Sequence, residues 1–157
     1  MWSRRTALLA PLALAACGFQ PVYGPGGSGA ALRNRVLVDA PEDRESFLLV
    51  RELEERLGRA AVPAYGLSLT IATTQEGLAI DPEGNTRRFN LLGAVDYALS
   101  DLATGQVVTS GRVENFTGYS ATGTTVATLA AEEDAQERLM NILADQIVTR
   151  LITTGIS

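Results

Sequence analysis

Apolar positions recur in this chain with two different periods, and the alternation between them predicts the order of elements. Arg35 to Asp39 is a short β-rich run, broken by Ala40-Pro41. Leu49, Val50, Leu53 and Leu57 then fall at helical spacing and form one stripe. Asp43 supplies an N-cap with Ser46 three positions on and Glu45 in the first turn, so the helix is predicted to run to about Arg59, ended by Gly58 and Pro63. Glu52 with Arg56 and Glu55 with Arg59 are i,i+4 pairs assigned to its solvated face.

Beyond Pro63 the period drops to two. Leu67, Leu69 and Ile71 alternate with small polar residues and predict a strand to about Thr74. Asp81-Pro82-Glu83-Gly84-Asn85 has the residues of a turn. Phe89, Leu91, Val95, Tyr97 and Leu99 share one parity, the strongest strand signal present, and Asp101 to Gly105 reads as a hairpin loop. In the fourth strand, Gln106 to about Tyr119, Val107 and Val113 keep one parity and Phe116 takes the other, which predicts a bulge near Glu114 or Asn115. Ser120 to Thr125 reads as a loop. A long helix is predicted from about Val126 to Thr153, with a stripe through Leu129, Ala135, Leu139, Ile142, Leu143, Ile147, Leu151 and Ile152, stopped by Gly155.

Hairpin-joined strands pair antiparallel, and each element has a single apolar face. The order β-α-β-β-β-α therefore predicts an α+β two-layer sandwich, a four-stranded and mostly antiparallel sheet with two helices on one face. The opposite face would carry Asn90, Asp96, Ser110, Arg112, Glu114 and Leu92, and an edge strand would be left open to strand addition.

The first residues follow neither period. Arg4 and Arg5 precede an apolar stretch, Ala7 to Ala13, interrupted by Pro11; Ala15 and Ala16 are small, and Cys17 is the only cysteine. Head, apolar middle and small-residue site are the parts of a secretory signal. An ordinary signal followed by a chance or buried thiol would look the same up to Ala16. The expected organisation is a signal over residues 1–16, an anchored N-terminus and tether over 17–34, rich in Gly and Ser at 25–29, and one domain over 35–157. Phe19 and Tyr23 have two readings, as rings in the membrane interface or as a docking contact.

Composition narrows function by what is missing. The chain holds thirteen basic residues, all Arg, eighteen carboxylates and no His. Beyond residue 16, eleven Arg face those eighteen acids, a net charge of −7. Such a surface argues against nucleic acid as partner. Without His, and with a single Cys, the chain lacks the means for Cys/His zinc sites and for Ser-His-Asp or Cys-His catalysis. Carboxylate-pair chemistry would still be open, but no motif supports it, and no enzymatic activity or cofactor is expected.

Leu14-Ala15-Ala16-Cys17 resembles the lipobox of bacterial lipoproteins. Cys17-Gly18-Phe19-Gln20-Pro21-Val22-Tyr23-Gly24, the element order, and the run Tyr119 to Arg150 with Ala-Glu-Glu-Asp-Ala at 131–135 and Leu143-Ala144-Asp145-Gln146-Ile147 together resemble the LPS-assembly lipoprotein family LptE. The resemblance implies cleavage between Ala16 and Cys17, and diacylglycerol plus a fatty acid such as palmitate on Cys17. It also implies an outer-membrane location facing the periplasm or a barrel lumen, and partnership with the large β-barrel LptD as a plug that assists its assembly and lipopolysaccharide delivery. Gly18, Phe19 and Tyr23 become candidate partner contacts. Arg87, Arg88 and Arg112 become candidates for lipopolysaccharide phosphates, because forked guanidinium donors suit them. The alternative is a free periplasm-facing lipoprotein that binds a lipid or peptide by itself.

Overall fold

The computed structural model describes residues 28–80 and 86–154. The signal, Cys17, Gly18, Phe19, Tyr23, the 81–85 turn and Gly155 lie outside them.

The elements are α1 (Ser28–Leu32), β1 (Val36–Val38), α2 (Arg44–Leu57), β2 (Tyr65–Ile80), β3 (Thr86–Asp101), β4 (Val107–Ser120) and α3 (Thr125–Thr153). They build an α+β fold with a four-stranded mixed sheet in the order β1-β2-β3-β4. β1 runs parallel to β2, and the two hairpin pairs are antiparallel. Within the stretch read as tether, Ser28–Leu32 is helical and Leu32 is 0% exposed; apolar Leu32 is drawn into the core ahead of β1.

Helix α2 starts where its capping signal places it. Asp43 accepts from the Ser46 N–H at 2.7 Å, and the Ser46 hydroxyl accepts from the Asp43 N–H at 2.9 Å. This closes a reciprocal box on orphan helix donors. At the other end Gly58 takes φ +77, where a Cβ would run into the Asn34 side chain. Odd-numbered residues of β2, β3 and β4 face the helices: Leu67, Leu91, Val95, Tyr97, Leu99 and Val113 are buried there. On α3, Ala135, Leu139, Leu143, Ile147 and Leu151 are buried, while Met140, Ala144 and Val148 are a second buried row, as expected for a helix packed on both a sheet and α2. Gly93 lets α3 approach closely: a Cβ there would lie 2.9 Å from Leu139 and 3.0 Å from Leu143.

Apart from the helical Ser28–Leu32 and a β2 that runs on to Ile80 rather than ending near Thr74, four expectations change. The bulge near Glu114 or Asn115 is absent, because β3–β4 register is continuous from Leu99↔Thr109 to Arg88↔Ser120, and the shift falls between Leu99 and Ser100. Phe116 keeps the parity of its strand and simply points away from the core. Leu129 is 56% exposed rather than in the stripe, since close packing of α3 on the sheet starts further along, at Ala135. Glu52 is buried rather than solvated, because it sits between α2 and α3, accepting from Arg56 Nη1 at 2.8 Å and from Asn141 Nδ2 at 3.0 Å. Finally, Arg59 pairs with Glu54 at 2.5 Å, one position nearer the N-terminus than the i,i+4 partner Glu55; Arg59 lies beyond the helix end at Leu57 and is freed from helical spacing.

Candidate functional site: the outer sheet face

All described helices leave the even-numbered face of the sheet uncovered. Register sets its rows: Ala72, Ala94 and Glu114 lie side by side, then Thr74, Leu92 and Phe116, then Glu76, Asn90 and Gly118. Phe116 is 60% exposed. Two shallow cavities meet at its ring. One of about 490 Å³ includes Ala72, Thr74, Leu92, Ala94 and Arg112; the other, of about 340 Å³, includes Leu78, Arg88, Asn90 and Gly118. The face thus has an apolar centre with a guanidinium toward each end. The Phe116 ring and half-buried Leu92 lie together at the middle of the open face.

The two arginines differ in state. Arg112 donates to Asp96 at 2.7 Å and to Glu114 at 2.6 Å. The Glu114 hydrogen bond, followed by the Asp96 charge, raises its pKa further above the ordinary guanidinium value, so its charge is already balanced twice over. Arg88 is exposed and makes no ion pair among the described residues. Arg87 is the next position along β3, so the two side chains leave opposite faces. Arg88 and Arg112 share the outer face, but Arg112 pairs with Asp96, eight residues from Arg88, which is about 26 Å along the strand. Arg87, Arg88 and Arg112 therefore do not form one phosphate cluster. Phe116, the residue midway between the two ends, is missed by sequence reasoning; its position opposite Leu92 on the outer parity was the available signal.

Residues 33–151 match the family model of LptE, described as lipopolysaccharide-assembly. The chain belongs to the LptE family. It is similar in structure to a candidate lipoprotein from Caulobacter crescentus CB15, with a TM-score of 0.70 and 26% identity over 84% of this chain and 98% of that one. The rare lipoprotein B of Shewanella oneidensis (TM-score 0.59, 18% identity, 76% and 93% coverage) and a minor lipoprotein of Acinetobacter baumannii (TM-score 0.54, 18% identity, 76% and 89% coverage) share the fold. No curated protein matches the chain. As an LptE-family member it is an LPS-assembly lipoprotein of a non-enzymatic, membrane-associated family. Among the described residues no helix is long and apolar enough to cross a membrane, and no group of side chains could hold a metal ion.

Proposed function

We propose that this chain is the outer-membrane partner of an LptD-like β-barrel, seated as a plug in its lumen, where it assists barrel assembly and the passage of lipopolysaccharide to the outer leaflet. The observation that carries the reading is the LptE match across 33–151. The open outer sheet face agrees with it: polar and acidic rows around Leu92 and Phe116 suit contact with the water-lined wall of a large barrel. Cys17, cleaved from Ala16 and acylated with diacylglycerol and a fatty acid, would hold the domain at the inner leaflet and raise its local concentration beside the barrel. Gly18, Phe19 and Tyr23 would then lie next to that anchor as partner contacts.

Lipopolysaccharide contact is assigned first to Arg88, with Arg87 near it and Arg112 as a distant, already paired site. The test is affinity purification of the full lipoprotein from solubilised outer membranes. Copurification of one large barrel in stoichiometric amount, with loss of surface lipopolysaccharide on depletion, is the expected result. Absence of any barrel, with surface lipopolysaccharide unchanged, refutes the reading. The second reading, a free ligand-binding lipoprotein, draws on the approximately 490 Å³ cavity beside Leu92. Direct binding of lipopolysaccharide that Arg88→Ala abolishes, without barrel association, would favour it.

A further inference from the structure

The two edges of the sheet are finished differently. On β4 the outward backbone groups belong to even-numbered residues, and side chains cover several of them. Arg150 donates to the Arg112 carbonyl, Arg138 to the Gly118 carbonyl, and the Asn115 side chain accepts from the Phe116 N–H. Such coverage blunts an edge against strand addition.

On the opposite side β1 is only three residues long and pairs with β2 from Tyr65 to Leu67. The last rung is the Asp39 N–H on the Leu67 carbonyl at 3.0 Å, after which Pro41 takes the chain out of the sheet. β2 continues to Ile80. The outward N–H and C=O groups of Leu69, Ile71, Thr73 and Gln75 consequently meet no backbone partner among the described residues. Where β1 would have continued there is an open slot of about 350 Å³, lined by Leu69–Ile71 of β2, by Val50 of α2, and by Asp39, Glu42 and Asp43. The Asp39 and Glu42 carboxylates make no hydrogen bond or ion pair among the described residues, and no basic residue lines the slot.

We infer that this slot accepts an extended segment of a partner protein, added as a fifth strand along β2 from Leu69 toward Gln75, with basic side chains set against Asp39 and Glu42. Main-chain bonds to the four outward residues supply the affinity, and the carboxylates select a cationic strand. The same carboxylates oppose pairing with a second copy of this edge, since like charges would face each other. The inference does not depend on which barrel or ligand the outer face meets.

The test uses the full lipoprotein in detergent and three synthetic octapeptides. The first alternates arginine with valine and threonine, the second replaces arginine by glutamate, and the third is the first with alternate amides N-methylated. Amide hydrogen exchange is read residue by residue. The arginine peptide is expected to slow exchange at Leu69, Ile71 and Thr73 at least tenfold, with no slowing from the other two, and the Asp39→Lys/Glu42→Lys variant should weaken its binding at least tenfold. Both carboxylates are exposed, so the variant keeps its fold, which the unchanged exchange of buried Val95 and Leu143 verifies. The inference is overturned by unchanged exchange at these three amides, by equal binding of the glutamate peptide, or by protection on β4 instead. It is equally overturned if these amides are already protected without peptide, because the slot is then filled by another part of the chain or by a second copy. Barrel copurification scored separately keeps this outcome distinct from failure of the plug reading.

Discussion

Arg150 on α3 donates from Nη1 to the carbonyl oxygen of Arg112 on β4 at 2.9 Å. A helix that packs under the sheet thereby reaches around its rim and occupies an acceptor that another strand would otherwise use. Arg138 repeats the contact one end further on, at Gly118. The Arg138→Ala/Arg150→Ala variant should lose little stability, within about 1 kcal/mol for exposed charged contacts. It should nevertheless associate edge to edge. Light scattering across a concentration series is expected to show a rise in mass relative to the parent, and an unchanged mass would count against the edge-covering role.

Glu52 gives a prediction with a pH sign. Its pKa is lowered chiefly by the hydrogen bond from Arg56, with Arg51 adding to it against the opposing effect of burial. A carboxylate with a folded pKa below its unfolded one stabilises the fold at pH above the unfolded value, and that contribution is lost as pH falls through the folded value. Glu52→Gln should cost about 1–3 kcal/mol at neutral pH, because charge-assisted bonds to Arg56 are lost in a half-dry setting. The gap between parent and variant should close on acidification. Denaturant unfolding of both proteins between pH 7 and pH 3 measures it.

Asp43 separates capping from charge. Its pKa is lowered first by the Ser46 hydroxyl and then by the Ser46 backbone N–H, so its stabilisation also fades as pH falls. Asp43→Ala should cost about 1 kcal/mol through loss of the cap. Asp43→Asn caps about as well as aspartate and should retain most of the neutral-pH stability while flattening the acid dependence. Thermal unfolding at two pH values distinguishes the two variants.

Gly93 and Phe116 test the two faces of the same sheet. Gly93→Val would push branched carbon into Leu139 and Leu143 and should destabilise by about 1–3 kcal/mol, as overpacking does. Phe116→Ser sits on the open face and should leave stability within about 0.5 kcal/mol. If that face meets a partner, the serine variant should copurify with markedly less barrel. Equal recovery of barrel would remove Phe116 from the contact surface.

The parts of the fold that follow from short-range chemistry were legible in the sequence. Asp43 and Ser46 mark a helix start by themselves, and Leu91, Val95, Tyr97 and Leu99 announce a strand by parity. Asp101 marks the β3–β4 hairpin, where its carboxylate accepts the backbone N–H groups of Ala103 and Thr104. What was not legible depends on a second element arriving. Glu52 reads as a surface residue until α3 brings Asn141 against it. Phe116 reads as a bulge signal when every aromatic is assumed to face the core. Arg87, Arg88 and Arg112 read as candidates by their guanidinium chemistry, whereas alternation splits Arg87 from Arg88 and strand length carries Arg112 far from both.

The β2–β3 ribbon runs from the Tyr65↔Asp101 pair to Ile80↔Thr86, about 50 Å of paired strand. The buried core extends along β3 only as far as Leu91. Past it the ribbon is braced by the Phe89–Tyr119 ring stack, at 5.4 Å between centroids, and by the Gln75–Tyr119 hydrogen bond at 2.6 Å. The molecule is therefore a dense block with a thin arm. Bending the described strands beyond Leu91 would therefore disturb few buried apolar contacts, while the block keeps its shape.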